Sequence, residues 1–182
     1  MSAGKGMTPI KGVNWNKFRD GMDNINWTKK QDDSTMEKNI SIHNDKEIKG
    51  FFCEYRWLSN FWPCQIQYDG DIYPSTEHAY QAAKLPKDKR SPFFNCTAAE
   101  SKALGKKCAL PHGWNDVKES IMSLILFNKF NNNEDLKKKL LATGDKYLEE
   151  TNYWGDCEWG VCKGVGKNKL GKMLMGIRGQ LK

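Results

Sequence analysis

An Asp69-Gly70 pair stands between two short alternating stretches, C-Q-I-Q-Y at residues 64–68 and Asp71, Ile72, Tyr73, and this pattern has few outlets other than an antiparallel hairpin closed by a tight turn. Pro74 is expected to stop the second strand, after which Ser75 or Thr76 can cap a helix that begins at Glu77. Beyond it, residues 98–107, 114–130, 134–142 and 168–181 carry helical periodicity. Val117, Ile121, Leu124, Ile125 and Phe130 mark the apolar face of the second of these, and Leu170, Met173, Leu174, Ile177 and Leu181 that of the last. Asn131 to Asn133 separate the middle pair. Upstream, residues 51–55 are a strand candidate, and R-W-L-S-N-F-W-P at 56–63 reads as a packed loop. The expectation is a compact, helix-rich α+β single domain with a small sheet early in the chain.

A chain of 182 residues fills one hydrophobic core without needing a second. Residues 49–182 form the expected domain. Residues 1–48 are polar and poor in aliphatics, an expected extension or lid, partly flexible, anchored by Trp15, Phe18 and Trp27. No apolar run is long enough for a bilayer, and the start lacks the apolar segment of a signal peptide, so a cytoplasmic protein without a membrane partner is expected. Six cysteines in such a protein are expected to be reduced. With His43, His78 and His112 scattered, no metal-ligand spacing emerges. The net charge of +7 points to an anionic partner without locating a groove.

Two segments concentrate chemistry. On the helix from Glu77, the long polar groups Glu77, Gln81 and Lys84 share one face with Tyr80 beside them, opposite Ala79, Ala82 and Ala83. If that face lines a cleft, Glu77 is a candidate general base and Lys84 a nucleophile or anion clamp; the plainer reading is a solvated face. His78 suits either catalysis or a filled helix shoulder. The second segment, N-Y-W-G-D-C-E-W-G-V-C-K-G-V-G-K-N at 152–168, combines glycines, rings and lysines. Tyr153, Trp154 and Trp159 can stack on a base, while Gly166, Lys167 and the following helix N-terminus can meet a phosphate, although neither Walker nor dinucleotide fingerprint is present. Ahead of the hairpin, Arg56, Asn60 and Trp62 offer ligand contacts or loop bracing.

The stretch F-W-P-C-Q-I-Q-Y-D-G-D-I-Y-P-S-T-E-H-A-Y-Q-A-A-K at 61–84, with Y-W-G-D at 153–156 and G-V-G-K-N-K-L-G-K-M-L-M at 164–175, resembles the NADAR, or YbiA-like, family over roughly residues 50–181. The resemblance implies an N-glycosidase acting on a ribosyl C1′–N bond, with no cofactor. Its implied substrates are ADP-ribosylated guanine in nucleic acid or a phosphorylated riboside of riboflavin synthesis. It further implies that Glu77 is the catalytic glutamate and Lys84 the family's lysine, with Asn60, Trp154, Asp156, Lys167 and Asn168 in pocket motifs. The sequence departs from the family's W-G-x-G after Trp154, where it reads W-G-D-C-E-W-G. Two other readings stand beside it: a non-catalytic ADP-ribose or nucleotide-binding module, and a basic nucleic-acid-binding accessory protein.

Overall fold

The computed structural model describes residues 41–182. The extension expected at 1–48, with its anchors Trp15, Phe18 and Trp27, lies outside them as far as residue 40. Strands begin at once: β1 (Ile42–His43) runs antiparallel to β2 (Glu47–Lys49).

Residues 51–55 are not a strand. Phe51 and Phe52 are both buried, which an alternating strand at a sheet surface cannot achieve with neighbouring residues. Positive φ angles at Gly50 (79°) and Cys53 (47°) turn the chain instead into a 3-10 helix, Cys53–Leu58, that drives Trp57 and Leu58 inward. The hairpin forms as its turn chemistry demands, from β3 (Pro63–Tyr68) and β4 (Asp71–Ser75), with Asp69 and Gly70 both at positive φ. Pro74 does not stop β4 but lies within it. The ladder shifts register between Pro63 and Ile66, opposite Pro74, so the missing N–H falls where pairing is already interrupted.

From β4 the chain enters α1 (Thr76–Ala82) directly, with the Ser75 hydroxyl accepting from the His78 N–H as N-cap. Next come α2 (Ala98–Lys107), opened by a reciprocal Thr97–Glu100 capping box, then α3 (Trp114–Asn131) and α4 (Glu134–Ala142). The strands β5 (Tyr147–Glu149), β6 (Thr151–Asn152) and β7 (Val161–Cys162) precede the final helix, α5 (Lys169–Gln180). β5 pairs in parallel with β2, so the sheet begun early in the chain is completed late; β6 and β7 pair in parallel nearby.

The core gathers Leu58, Ile66, Tyr73, Phe93, Ile125 and Phe130 from the hairpin, the central helices and their connections. On α5, Leu170, Leu174 and Ile177 are buried as expected, with Met173 and Leu181 at the margin. On α3 the buried stripe is rotated from the expected one. Val117 and Leu124, seven residues apart and therefore on one line, face outward, while Trp114, Met122, Ile125, Leu126, Lys129 and Phe130 face inward. A lysine in that stripe hid its true direction. Lys129 is fully buried, its Nζ donating to the Ser59 carbonyl at 2.8 Å and lying 5.2 Å from the Phe130 ring centre; burial pulls it down to about 8. Among the described residues no helix is long and apolar enough to cross a membrane.

The decisive packing contact for the site is between α1 and α2. A Cβ on Gly105 would lie 1.8 Å from Gln81 Oε1 and 2.9 Å from Gln81 Cβ, so only glycine permits this approach. Gly105→Ala is expected to cost about 1–3 kcal/mol through overpacking, lowering the thermal midpoint by roughly 2–4 °C per kcal/mol. An unchanged midpoint in a thermal melt would show that the two helices can separate freely there.

Candidate active site

α1 does not present one polar face to a cleft with alanines behind it, since every residue of Thr76–Ala82 is buried. Glu77, 5% exposed, is held by its own backbone N–H, which donates to the Asn60 carbonyl at 3.0 Å. The Gln81 Nε2 donates to Glu77 Oε1 at 2.8 Å, one helical turn away. Gln81 Oε1 then accepts from Lys84 Nζ at 2.5 Å, and the same ammonium donates to the Gly105 carbonyl at 3.1 Å. An amide has one acceptor end and one donor end, so this arrangement links a carboxylate to an ammonium through Gln81 without direct contact.

Burial pushes the Glu77 carboxyl above the ordinary glutamate value; the Gln81 hydrogen bond and the charges of Lys102 and Lys84 draw it back, and Asp156 opposes them. Burial likewise pulls Lys84 down, against the charge of Glu77. A raised pKa makes the Glu77 carboxylate a stronger base, and a lowered one makes the Lys84 amine more available as the free base, as general-base and nucleophilic chemistry require.

The neighbours divide into those aimed at this relay and those that hold the frame. His78 spends both ring nitrogens on the protein, Nδ1 at 2.7 Å from Ser75 Oγ and Nε2 at 2.9 Å from the Cys96 carbonyl, and burial lowers its pKa. Tyr80 is wedged between Trp114 (5.5 Å between ring centres) and Trp159 (5.6 Å), with Lys84 Nζ 5.9 Å from its ring centre. Asn60 has its Nδ2 near Met122 Sδ, while its Oδ1 is sealed from solvent without a partner among the described residues. Trp62, partly buried against the core, follows the same turn through its N–H to the Ser59 carbonyl; Arg56 is partly exposed on the preceding 3-10 helix.

The 152–168 segment is built around its side-chain amides. Asn152 bonds the Asp156 backbone in both directions, and Asp156 Oδ1 accepts the N–H groups of Glu158 and Trp159. This Asx turn carries Trp159 in against Tyr80 and leaves Trp154 48% exposed, edge-on to Tyr153 at 5.1 Å. Of the two Trp-Gly pairs, Trp159-Gly160 is therefore the packed one: a Cβ at Gly160 would stand 2.2 Å from the Glu150 carbonyl, and one at Gly166 would stand 2.2 Å from the Gly160 carbonyl. Asn168 caps α5 at positive φ and is buried; its Oδ1 accepts the Glu150 N–H, and its Nδ2 donates to Tyr147 Oη and the Leu148 carbonyl. Lys167 is exposed and pairs with Glu158 at 2.7 Å, and Lys169 bonds both Glu158 and Glu119, so these two lysines already have carboxylate partners. These cations pull Glu158 down to about 2.

Two residues that sequence reasoning passed over belong to the same neighbourhood. Lys102, in α2, sets its ammonium 5.5 Å from the Phe61 ring centre and 6.0 Å from that of Trp154, and its charge reaches both Glu77 and Glu150. Glu150, between β5 and β6, has Oε2 sealed without a partner among the described residues, and burial pushes it up to about 8. Its residue surface is partly open, yet protein crowds the carboxyl itself. Nothing local in S-K-A or L-E-E-T distinguishes either residue from surface charge; only the packing of α2 and β7 does. Among the described residues no cluster of potential metal ligands is present, and all six cysteines are free thiols.

The NADAR domain profile matches residues 44–182. Riboflavin biosynthesis protein VVA0006 of Vibrio vulnificus (strain YJ016) is 34% identical over 154 residues, covering 80% of this chain and 39% of that protein, so the chain spans about two fifths of that relative's length. N-glycosidase YbiA of Escherichia coli (strain K12) is 35% identical over 136 residues, covering 70% of this chain and 82% of that protein. The NMR structure of E. coli YbiA superimposes with a TM-score of 0.68 at 32% identity, over 80% of this chain and 90% of that one. The helix-rich α+β domain with its small sheets is thus the YbiA fold, and the chain belongs to the NADAR family.

Proposed function

We propose that this protein is an N-glycosidase that hydrolyses a ribosyl C1′–N bond, with ADP-ribosylated guanine in nucleic acid, or a phosphorylated N-riboside such as a riboflavin-pathway intermediate, as its substrate. The observation that carries this reading is the buried Glu77–Gln81–Lys84 relay in a chain of this family. The relatives named N-glycosidase YbiA and riboflavin biosynthesis protein VVA0006 support the reaction class. The net charge of +7 supports a phosphorylated or nucleic-acid substrate.

Cleavage of the C1′–N bond builds positive charge on the ribose, and the carboxylate of Glu77 stabilises that charge and takes a proton from the attacking group. Lys84, with its pKa lowered, either attacks C1′ to give a transient iminium on the opened sugar or holds a sugar hydroxyl or phosphate. Gln81 holds the two at fixed separation in both versions.

A panel of ADP-ribosylated guanine DNA, ADP-ribosylated protein, NAD-derived nucleotides and phosphorylated pyrimidine ribosides of riboflavin synthesis tests the reading by product identity. Glu77→Gln is expected to fold as the wild type and lose turnover by about 10²-fold or more. Binding without cleavage of any of these by the wild type would replace the enzyme with a binding module. Salt-sensitive binding to plain oligonucleotide, indifferent to Glu77→Gln, would replace it with an accessory protein.

Because Glu77 works ionised and its pKa is raised above 4.5, kcat/KM is expected to rise with pH through a midpoint above that value, and the rise should vanish in Glu77→Gln. Borohydride added during turnover is expected to leave a sugar adduct on Lys84, read by mass spectrometry. Absence of an adduct, with Lys84→Met retaining most activity, would assign Lys84 the holding role.

A further inference from the structure

Glu150 is fixed more firmly than a surface glutamate has reason to be. Its N–H donates to Asn168 Oδ1 at 3.1 Å, and its carbonyl accepts the Val161 N–H at 2.9 Å, so both sides of its backbone are clamped. Its side chain crosses Gly160, where an added Cβ would stand 3.1 Å from Glu150 Cγ. The carboxyl held by this frame has one sealed oxygen without a partner among the described residues, a poor setting for negative charge. The other oxygen is the one left to meet an incoming group. The charged groups facing the carboxyl are Asp156 from the loop, Lys102 from α2 and Lys129 from α3. Asp156 and Lys102 also act on Glu77, so the two glutamates share one electrostatic neighbourhood.

We propose that Glu150 is the second carboxyl of the reaction, a neutral acid that donates its proton to the departing nitrogen while Glu77 serves the opposite side of the ribose. The proposal rests on the glycosidase reading above. The C1′–N bond breaks and its electron pair leaves with the nitrogen, which takes the Glu150 proton. Lys84 Nζ or a water oxygen bonds to C1′ and gives one proton to Glu77; where Lys84 attacks, water then hydrolyses the iminium and frees the amine, so in both versions one water is consumed and the two carboxyls return to their starting states by exchange with solvent. The carboxyl of Glu150, pushed up to about 8 chiefly by burial and further by Asp156, with Lys102 and Lys129 opposing, stays protonated at neutral pH. Glu77 accepts the Gln81 hydrogen bond while Glu150 has an oxygen without a partner among the described residues, so the two carboxyls stand in different surroundings, as acid and base partners require.

The test compares two leaving groups on one sugar: the N-riboside found active in the panel, and a 4-nitrophenyl riboside with the same phosphate groups, whose phenolate departs without a proton. For the wild type, the rate on the N-riboside is expected to fall above about pH 8 and the rate on the nitrophenyl riboside to stay level. Glu150→Gln is expected to lower kcat on the N-riboside by about 10²-fold or more, to leave the nitrophenyl riboside within a few-fold, and to abolish the falling limb. Equal losses on both substrates, no loss on the N-riboside, or a wild-type falling limb shared by both would overturn the assignment. The wild-type profiles decide it even if Glu150→Gln does not fold. If Glu77→Gln still inactivates both substrates, the glycosidase reading survives the loss of this one; a wild type that cleaves neither ends both.

Discussion

The side-chain amide of Gln81 has to face two ways at once, and much of the molecule is arranged so that it can. Its N–H reaches back one turn to Glu77, and its carbonyl meets Lys84. Reversing the amide would set its carbonyl against a carboxylate and its N–H against an ammonium, so the two charges fix its orientation as firmly as it fixes theirs. Space for it comes from Gly105, which brings α2 so close that a methyl group would occupy the amide's position. α1 can be this short and still be well defined because it is buried on every side and starts directly from the hairpin, with no slack between β4 and the Ser75 cap.

The interior of this domain is unusually rich in groups that water would hold better. Lys129 is supported by one carbonyl and one ring. His78 has both ring nitrogens engaged by the protein, and burial draws its pKa down against the pull of the Cys96 carbonyl. Glu77 and Glu150 are both displaced toward their neutral forms. Such displacements are destabilising in themselves and accumulate where chemistry is performed. They are offset by rigid surroundings, notably the Asn168 clamp on β5 and the Asn152–Asp156 turn.

Local chemistry is legible where a residue acts on its immediate neighbours. The Asp69-Gly70 turn, the Ser75 cap and the limits of α2 and α4 follow from side chains within a few positions, and all stand as the sequence suggests. The face of α3 was not legible, because a buried lysine reads as surface and two exposed aliphatics read as core. For α1 the pattern of long and short side chains found the relay but not its burial, since hydropathy cannot register that a polar face is covered by another helix's glycine. Of the 152–168 segment, density of unusual residues marked the place; which tryptophan points inward depends on an Asx turn whose acceptor had the look of a ligand-binding aspartate. Glu150 and Lys102 are defined only by long-range packing, and no local signal announces them.

The parallel pairing of β2 with β5 joins residues 47–49 to residues 147–149, a hundred residues further along the chain. Such a contact carries a large loop-closure cost and forms only after the intervening helices have begun to compact. Since Glu150 follows β5 immediately and Asn168 locks it, the carboxyl neighbourhood around α1 depends on contacts between segments far apart in the chain. On a ribosome the same order is enforced by synthesis, because the chain beyond residue 150 must emerge before the early strands find their partner. A nascent chain therefore carries Glu77 and Lys84 long before it carries all of the surroundings that shift their protonation, and the relay acquires its full electrostatic setting only as the fold is completed.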